Sequence, residues 1–333
     1  MQLSINFRDV VSAKRRIEQH IKKTPIMTSS RLNHWLGHEI LFKMECLQHV
    51  GAFKARGAMN AIQSYLESQE PPKKIITVSS GNHAQAIAWA CDRLRIPADV
   101  YMDKAASSVK KNATRSYGAT VIECETRLEA QERVAEAAET SDILMIPPYN
   151  HRDVIAGQGT CMLEVFDEIN QPIDAVFAPC GGGGLISGCY VATKALSPET
   201  KVMGAEPVQA NDAAQSIRLG RIVHLKDTPN TIADGVKTLS VGDLTFPQIQ
   251  QLDGFYEVPE DDICYWTQWL QHLLKVHVEP TSAMSMSGVL VYLKAQSTPQ
   301  RVMVVITGGN IASETMLKIW QDDHLAEVPR LSE

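Results

Sequence analysis

No stretch of this 333-residue chain is long and apolar enough to span a bilayer. Its N-terminus, Met1-Gln2-Leu3-Ser4-Ile5-Asn6, lacks the charged-then-apolar order of an export signal. There is no basic excess either. With 32 Lys and Arg against 38 Asp and Glu, the net charge is −6, which argues against nucleic acid or an anionic membrane surface as partner. Cysteine occurs without a pairing pattern. The seven, at positions 46, 91, 124, 161, 180, 189 and 264, form no Cys-x-x-Cys unit, and most lie in apolar segments such as Trp89-Ala90-Cys91. Reduced, buried thiols and a cytoplasmic location are therefore expected. Repeats and low-complexity stretches are absent. Four consecutive glycines, Gly181 to Gly184, lack both the Gly-x-Gly-x-x-Gly spacing and a trailing Lys-Ser/Thr, so neither a dinucleotide nor ATP fits them well.

What is present is alternation. The chain is 44% apolar, enough to bury a large core divided between two domains. Strand signals at 75–78, 98–102, 120–123 and 143–145 are separated by helical ones, which predicts a compact unit over residues 73–149. It is inserted into a larger domain of residues 1–72 and 150–333, with strands near 40–45, 175–178, 201–205 and 302–306. Such alternation predicts an α/β fold of parallel sheets with helices on both faces.

Four polar segments interrupt this pattern. Lys54, in Gly51-Ala52-Phe53-Lys54-Ala55-Arg56-Gly57-Ala58, opens a helix whose apolar positions Gly57, Ala58, Ala61, Ile62 and Tyr65 recur at helical spacing. Lost water and the positive end of the helix dipole both disfavour its ammonium, which frees the neutral amine for carbonyl chemistry. Taken alone, it reads more readily as a surface lysine extending past small neighbours, and the three segments that follow reverse that reading. Val78-Ser79-Ser80-Gly81-Asn82-His83 joins a strand to a helix, at the carboxyl end of a strand, where open α/β sheets bind ligands. Helix capping explains one of Ser79, Ser80 and Asn82, but not the whole run. Gly181, Gly182, Gly183 and Gly184 lead from a strand into the helix-like Leu185-Ile186-Ser187. Unobstructed N–H groups at a helix start make a phosphate cradle; the plain alternative is a tight turn. Thr307-Gly308-Gly309-Asn310 again ends a buried strand, as an ordinary strand exit also would.

In this order and at these separations, the four segments resemble the fold-type II pyridoxal-phosphate enzymes. The branch they resemble most is that of serine/threonine dehydratases, serine racemases and hydroxyaspartate dehydratases. The resemblance runs from Thr24-Pro25 to the Thr307 loop and takes in Val154-Ile155-Ala156-Gly157-Gln158-Gly159-Thr160 and Ala233-Asp234-Gly235-Val236-Lys237. It implies a three-layer αβα fold like that of tryptophan synthase β, with pyridoxal 5'-phosphate in the cleft between two domains. Lys54 would hold the cofactor covalently and carry the α-proton, with Phe53 beside the ring. Asn82 would hydrogen-bond the ring's phenolic oxygen, and Thr307 would face the pyridine nitrogen. Gly181, Gly182, Gly183 and Gly184, with the Leu185 amide, would hold the phosphate. Ser79, Ser80, Gly81, Asn82 and His83 would receive the substrate carboxylate, and Ser80 matches an acid/base on the face opposite Lys54. The implied reaction is α,β-elimination from a 3-hydroxy amino acid (L-threonine, L-serine or 3-hydroxyaspartate), giving a 2-oxo acid and ammonia. A serine racemase with side dehydratase activity is the alternative. A homodimer is implied in the same way.

The resemblance also implies a divalent cation on Glu206, the Ala210 carbonyl and Asp212. All-oxygen ligands suit Mg²⁺, Mn²⁺ or Ca²⁺ and argue against zinc. The competing account is two solvated carboxylates, with Asp212 capping the next helix. Some positions depart from the family pattern. Ala52 stands where many relatives have serine, and the arginine and histidine expected near the substrate fall at Gln131 and Pro147, leaving Arg127, Tyr149 or Asn150 as candidates for the substrate end. No C-terminal module of the kind found in isoleucine-regulated relatives is expected after the last helix. Closure of the smaller domain over substrate is expected.

Overall fold

The protein is described here by a computed structural model covering residues 5–106 and 108–331; Ser107 and both chain ends, on which the expectations about an export signal and a C-terminal module bear, lie outside the described residues. Among the described residues ten strands form two sheets. The six-stranded sheet contains β1 (Ile26–Thr28), β2 (Glu39–Met44), β7 (Ala175–Pro179), β8 (Lys201–Pro207), β9 (Gly254–Val258) and β10 (Arg301–Ile306), in the order β1-β2-β10-β7-β8-β9. The four-stranded sheet, in the order β5-β4-β3-β6, contains β3 (Lys74–Val78), β4 (Ala98–Asp103), β5 (Thr120–Cys124) and β6 (Ile143–Met145).

The central strands were readable because both their faces are covered. Along β10, Val302, Val304 and Ile306 pack with Trp266, Trp269 and Met286, while Met303 and Val305 pack on the opposite face with Ile155, Met162 and Ile186. A strand buried on both sides reads as a continuous apolar run. Two strands were not anticipated. β1 has three residues and pairs antiparallel with β2, Ile26 opposite Lys43, which corrects the expectation of purely parallel pairing in that sheet. β9 pairs parallel with β8 at the other edge, and its residues are mostly half-buried. Edge strands this short are set by their neighbours, not by their own periodicity.

The helix Lys54–Leu66 packs closely on Arg152–Glu168, where the Gly57 amide donates to Gln158 Oε1 at 3.1 Å. Beneath it lies a charged cluster. Arg56, fully buried, bonds Glu45 through Nε (2.7 Å) and Nη2 (2.7 Å) and Glu164 through Nη1 (2.6 Å). Lys43, also fully buried, donates to Glu164 at 2.6 Å and to the Thr24 carbonyl at 2.7 Å. Two cations against two carboxylates leave no net charge to solvate, the condition under which charges are tolerated in a core.

Candidate active site

The carboxyl ends of β3, β7 and β10 open onto one cleft of about 560 Å³. The segments predicted from sequence all reach it: Phe53 and Lys54, the run Ser79, Ser80, Gly81, Asn82 and His83, the glycines 181–184 with Leu185, and Thr307. Lys54 is the first residue of its helix, and the loop before it is tied to the Thr307 loop. The Phe53 amide donates to the Thr307 carbonyl at 2.9 Å, and the Gly309 amide to the Gly51 carbonyl at 3.0 Å. The Lys54 ammonium sits 5.2 Å from the Phe53 ring centre and donates to the Pro148 carbonyl at 2.5 Å. Protein surrounds it except toward the cleft. That loss of water brings its pKa down to about 8, against an opposing pull from Glu279.

Across the cleft, Asn82 begins the helix Asn82–Leu94, and the Gly81 amide donates to Ser79 Oγ at 3.3 Å. Asn82 Nδ2 donates to Glu279 at 3.1 Å, and Asn82 Oδ1 accepts from Asn310 Nδ2 at 2.9 Å. The His83 ring is buried and its Nε2 bonds the Ile146 carbonyl at 3.0 Å. Burial, then the Lys54 charge, pushes its pKa to about 3, so the ring stays neutral and its backbone amide is what remains for a ligand. The glycine loop is a cradle by shape. A Cβ on Gly182 would stand 2.2 Å from the Tyr149 ring, and Gly183 takes φ +88° at the start of the helix Gly184–Leu196. Thr245 Oγ1 donates to the Gly182 carbonyl at 2.7 Å, turning the loop's amides the other way. Bare amides, a helix start and a facing lysine fit pyridoxal phosphate.

Glu206, Ala210 and Asp212 do not line this cleft; they sit at the end of β8 and the start of the helix Asp212–Leu219. Glu206 is fully buried and accepts from the Ala214 amide at 2.7 Å. Neither oxygen of buried Asp212 has a partner at bonding geometry. Burial raises Asp212 to about 7 and Glu206 well above the carboxylate range, with the Asp212 charge adding to the second effect. Among the described residues no set of three His, Cys, Asp or Glu side chains is grouped to hold a metal. Two desolvated carboxylates, one without partners, nonetheless fit a hard cation completed by a carbonyl.

Gln131, Pro147, Arg127, Tyr149 and Asn150 all reach the cleft. Tyr149 packs against Gly182 and Gly184, and both residues are tied to the 240–244 segment: Tyr149 donates to the Ser240 carbonyl at 3.2 Å and Asn150 Oδ1 accepts from the Leu244 amide at 2.9 Å. Arg127 donates to the Lys237 carbonyl at 2.8 Å, and Lys110 pairs with Asp234, so the 233–237 segment meets the opposite wall there. Glu279, Ser282 and Asn310 were missed. The signal available for Glu279 resembled that for Lys54: a lone charge among small residues, Glu279-Pro280-Thr281-Ser282.

A family model described as pyridoxal-phosphate dependent enzyme matches residues 17–308. The L-threo-3-hydroxyaspartate ammonia-lyase of Saccharomyces cerevisiae is 43% identical over 307 residues, 92% of this chain and 93% of that protein. The serine racemase of Dictyostelium discoideum is 41% identical over 320 residues, covering 95% of this chain and 98% of that protein. Among solved structures, a T.th. threonine deaminase superposes with a TM-score of 0.86 at 39% identity, over 92% of this chain and 99% of that one.

Proposed function

The chain belongs to the pyridoxal-phosphate-dependent enzyme family, and from that premise we propose that it is an ammonia-lyase releasing a 2-oxo acid and ammonia from a 3-hydroxy amino acid. The observation that carries this reading is the Lys54 amine, at the head of a helix and open to the cleft, with burial bringing its pKa down to about 8. Gly181 to Gly184 and the Leu185 amide would hold the cofactor phosphate, Asn82 the phenolic oxygen, and Thr307 the ring nitrogen. When bound, the cofactor supplies an electron sink for the charge left at Cα. Lys54 takes the Cα proton, while Ser79, Ser80 and the amides that follow orient the substrate carboxylate. Among candidate substrates, 3-hydroxyaspartate comes first: Arg127 and Lys237 line the cleft, and the yeast relative is named for that substrate.

The deciding experiment incubates the purified protein with both enantiomers of serine, threonine and 3-hydroxyaspartate. Release of 2-oxo acid from one or more is expected; no product from any would end the proposal. Borohydride reduction followed by peptide mass spectrometry is expected to find the cofactor on Lys54 alone.

The racemase reading is favoured by one observation, a second hydroxyl, Ser80, on the wall carrying Asn82. On that reading Ser80→Ala suppresses racemisation more than L-isomer elimination, as chiral chromatography would record; equal losses remove Ser80 from the second face. For Glu206, the Ala210 carbonyl and Asp212, a bound divalent cation is proposed. EDTA is expected to lower both activity and melting temperature, and Mg²⁺ to restore them; indifference to chelation removes the cation. A homodimer in a reducing compartment completes the proposal, with all seven cysteines unpaired as thiols.

A further inference from the structure

Glu279 is buried to 2% exposure at the floor of the cleft, and nothing in the catalytic roles above uses it. Its main chain is fixed, because its amide donates to the Gly308 carbonyl at 3.0 Å. Its carboxyl group touches both side chains assigned to the cofactor ring. Asn82 Nδ2 donates to Oε2 at 3.1 Å, and Thr307 Oγ1 donates to Oε1 at 3.1 Å. On the other side of Asn82, Asn310 Nδ2 donates to Oδ1 and also to the Val50 carbonyl at 2.8 Å. The Asn82 amide therefore cannot turn over without facing oxygen with oxygen at Glu279 and nitrogen with nitrogen at Asn310. One of its hydrogens is taken by Glu279, and the second is left for the ring's phenolic oxygen.

Thr307 has a single hydroxyl hydrogen and more than one acceptor for it. Ser282 Oγ lies 2.7 Å away, but Ser282 accepts from the Gly308 amide at 3.0 Å and can give its own hydrogen to Thr307. An ionised Glu279 holds the Thr307 hydrogen, so only lone pairs face the ring nitrogen. A protonated Glu279 donates to Thr307 instead, and the threonine hydrogen is released toward the nitrogen. We infer that Glu279 is a positioning residue that orients Asn82 and, by holding or releasing the Thr307 hydrogen, sets whether that hydroxyl donates to the ring nitrogen of the cofactor. With the cofactor bound, a protonated Glu279 would leave the Thr307 hydroxyl free to donate to the ring nitrogen, and an ionised Glu279 would keep that hydrogen for itself. The inference rests on the cofactor placement proposed above.

The charges around Glu279 leave this proton titratable. Burial and the Asp234 charge raise its pKa to about 7, against bonds from Asn82 and Thr307 and the charge of Lys110. Lys54 and Cys46 also lie within its field. The test is the ¹⁵N resonance of holoenzyme loaded with ring-¹⁵N pyridoxal phosphate, followed from pH 5.5 to 8.5. In the wild type the resonance is expected to shift with a midpoint near 7. In Glu279→Gln, whose amide has no proton to lose, the shift is expected to vanish while the cofactor stays on Lys54. A wild-type resonance that does not move with pH overturns the inference without need of the variant, and so does a Glu279→Gln titration matching the wild type. Failure of the wild type to take up cofactor at all would instead overturn the placement on which the inference rests.

Discussion

At Lys54 the governing quantity is the cost of charging an amine away from water. Burial alone outweighs the pull of Glu279 and brings the group from 10.5 down to about 8. The sign follows. Below about 8 the amine is protonated and unreactive, and above it the lone pair is free. The apoprotein should therefore take up pyridoxal phosphate at a rate that climbs with pH to half its maximum near 8, followed by near-visible absorbance. A half-rise near 10.5, the value for an ordinary lysine, would mean the amine is solvated. The same burial gives the opposite result at His83. Its ring is held neutral against the Ile146 carbonyl, so the imidazole brings no positive charge to a substrate carboxylate.

At the scale of elements, the helix headed by Lys54 is positioned from below. Arg56 follows Lys54 by two residues and points into the core, where it bonds Glu45 and Glu164. Its removal leaves two buried carboxylates facing Lys43 alone. An uncompensated buried charge costs about 3–5 kcal/mol, so Arg56→Met should lower unfolding free energy by that amount in urea titrations. A loss of about 1 kcal/mol or less would show that water enters the cluster and that the pairs act as surface bridges do. The glycine loop depends on its neighbours in a similar way. Tyr149 occupies the space a Gly182 side chain would need, and Thr245 holds the Gly182 carbonyl.

At the scale of the molecule, the contacts across the cleft are few and polar. Lys54 reaches the Pro148 carbonyl, Arg127 the Lys237 carbonyl, Asn82 the Glu279 carboxylate, and Lys110 pairs with Asp234 at partial exposure. Away from the cleft the two units share one apolar seam, Ile87 and Val100 clustering with Met59, Ile62 and Val154, while Val176 and Trp266 belong to cores of the larger unit alone. The polar bonds across the cleft are each worth about 1–3 kcal/mol, so the cleft should open and close with the apolar seam as its hinge. A substrate analogue is expected to reduce the radius of gyration of the holoenzyme in small-angle scattering; identical profiles with and without it would count against closure.

The sequence by itself determined the buried parallel strands, because β7 and β10 are covered on both faces and that burial writes itself as an unbroken apolar run. It also singled out segments that meet at the cleft, because Lys54, the Ser79–Asn82 turn and the glycine loop are each locally abnormal for the element they join. Only the tertiary structure decided what those residues touch. The edge strands β1 and β9 owe their conformation to β2 and β8, and Glu279 acquires its place from Asn82 and Thr307, distant in the chain. Periodicity records how much of a residue is covered. It does not record by what, and the partner is what sets a proton's affinity.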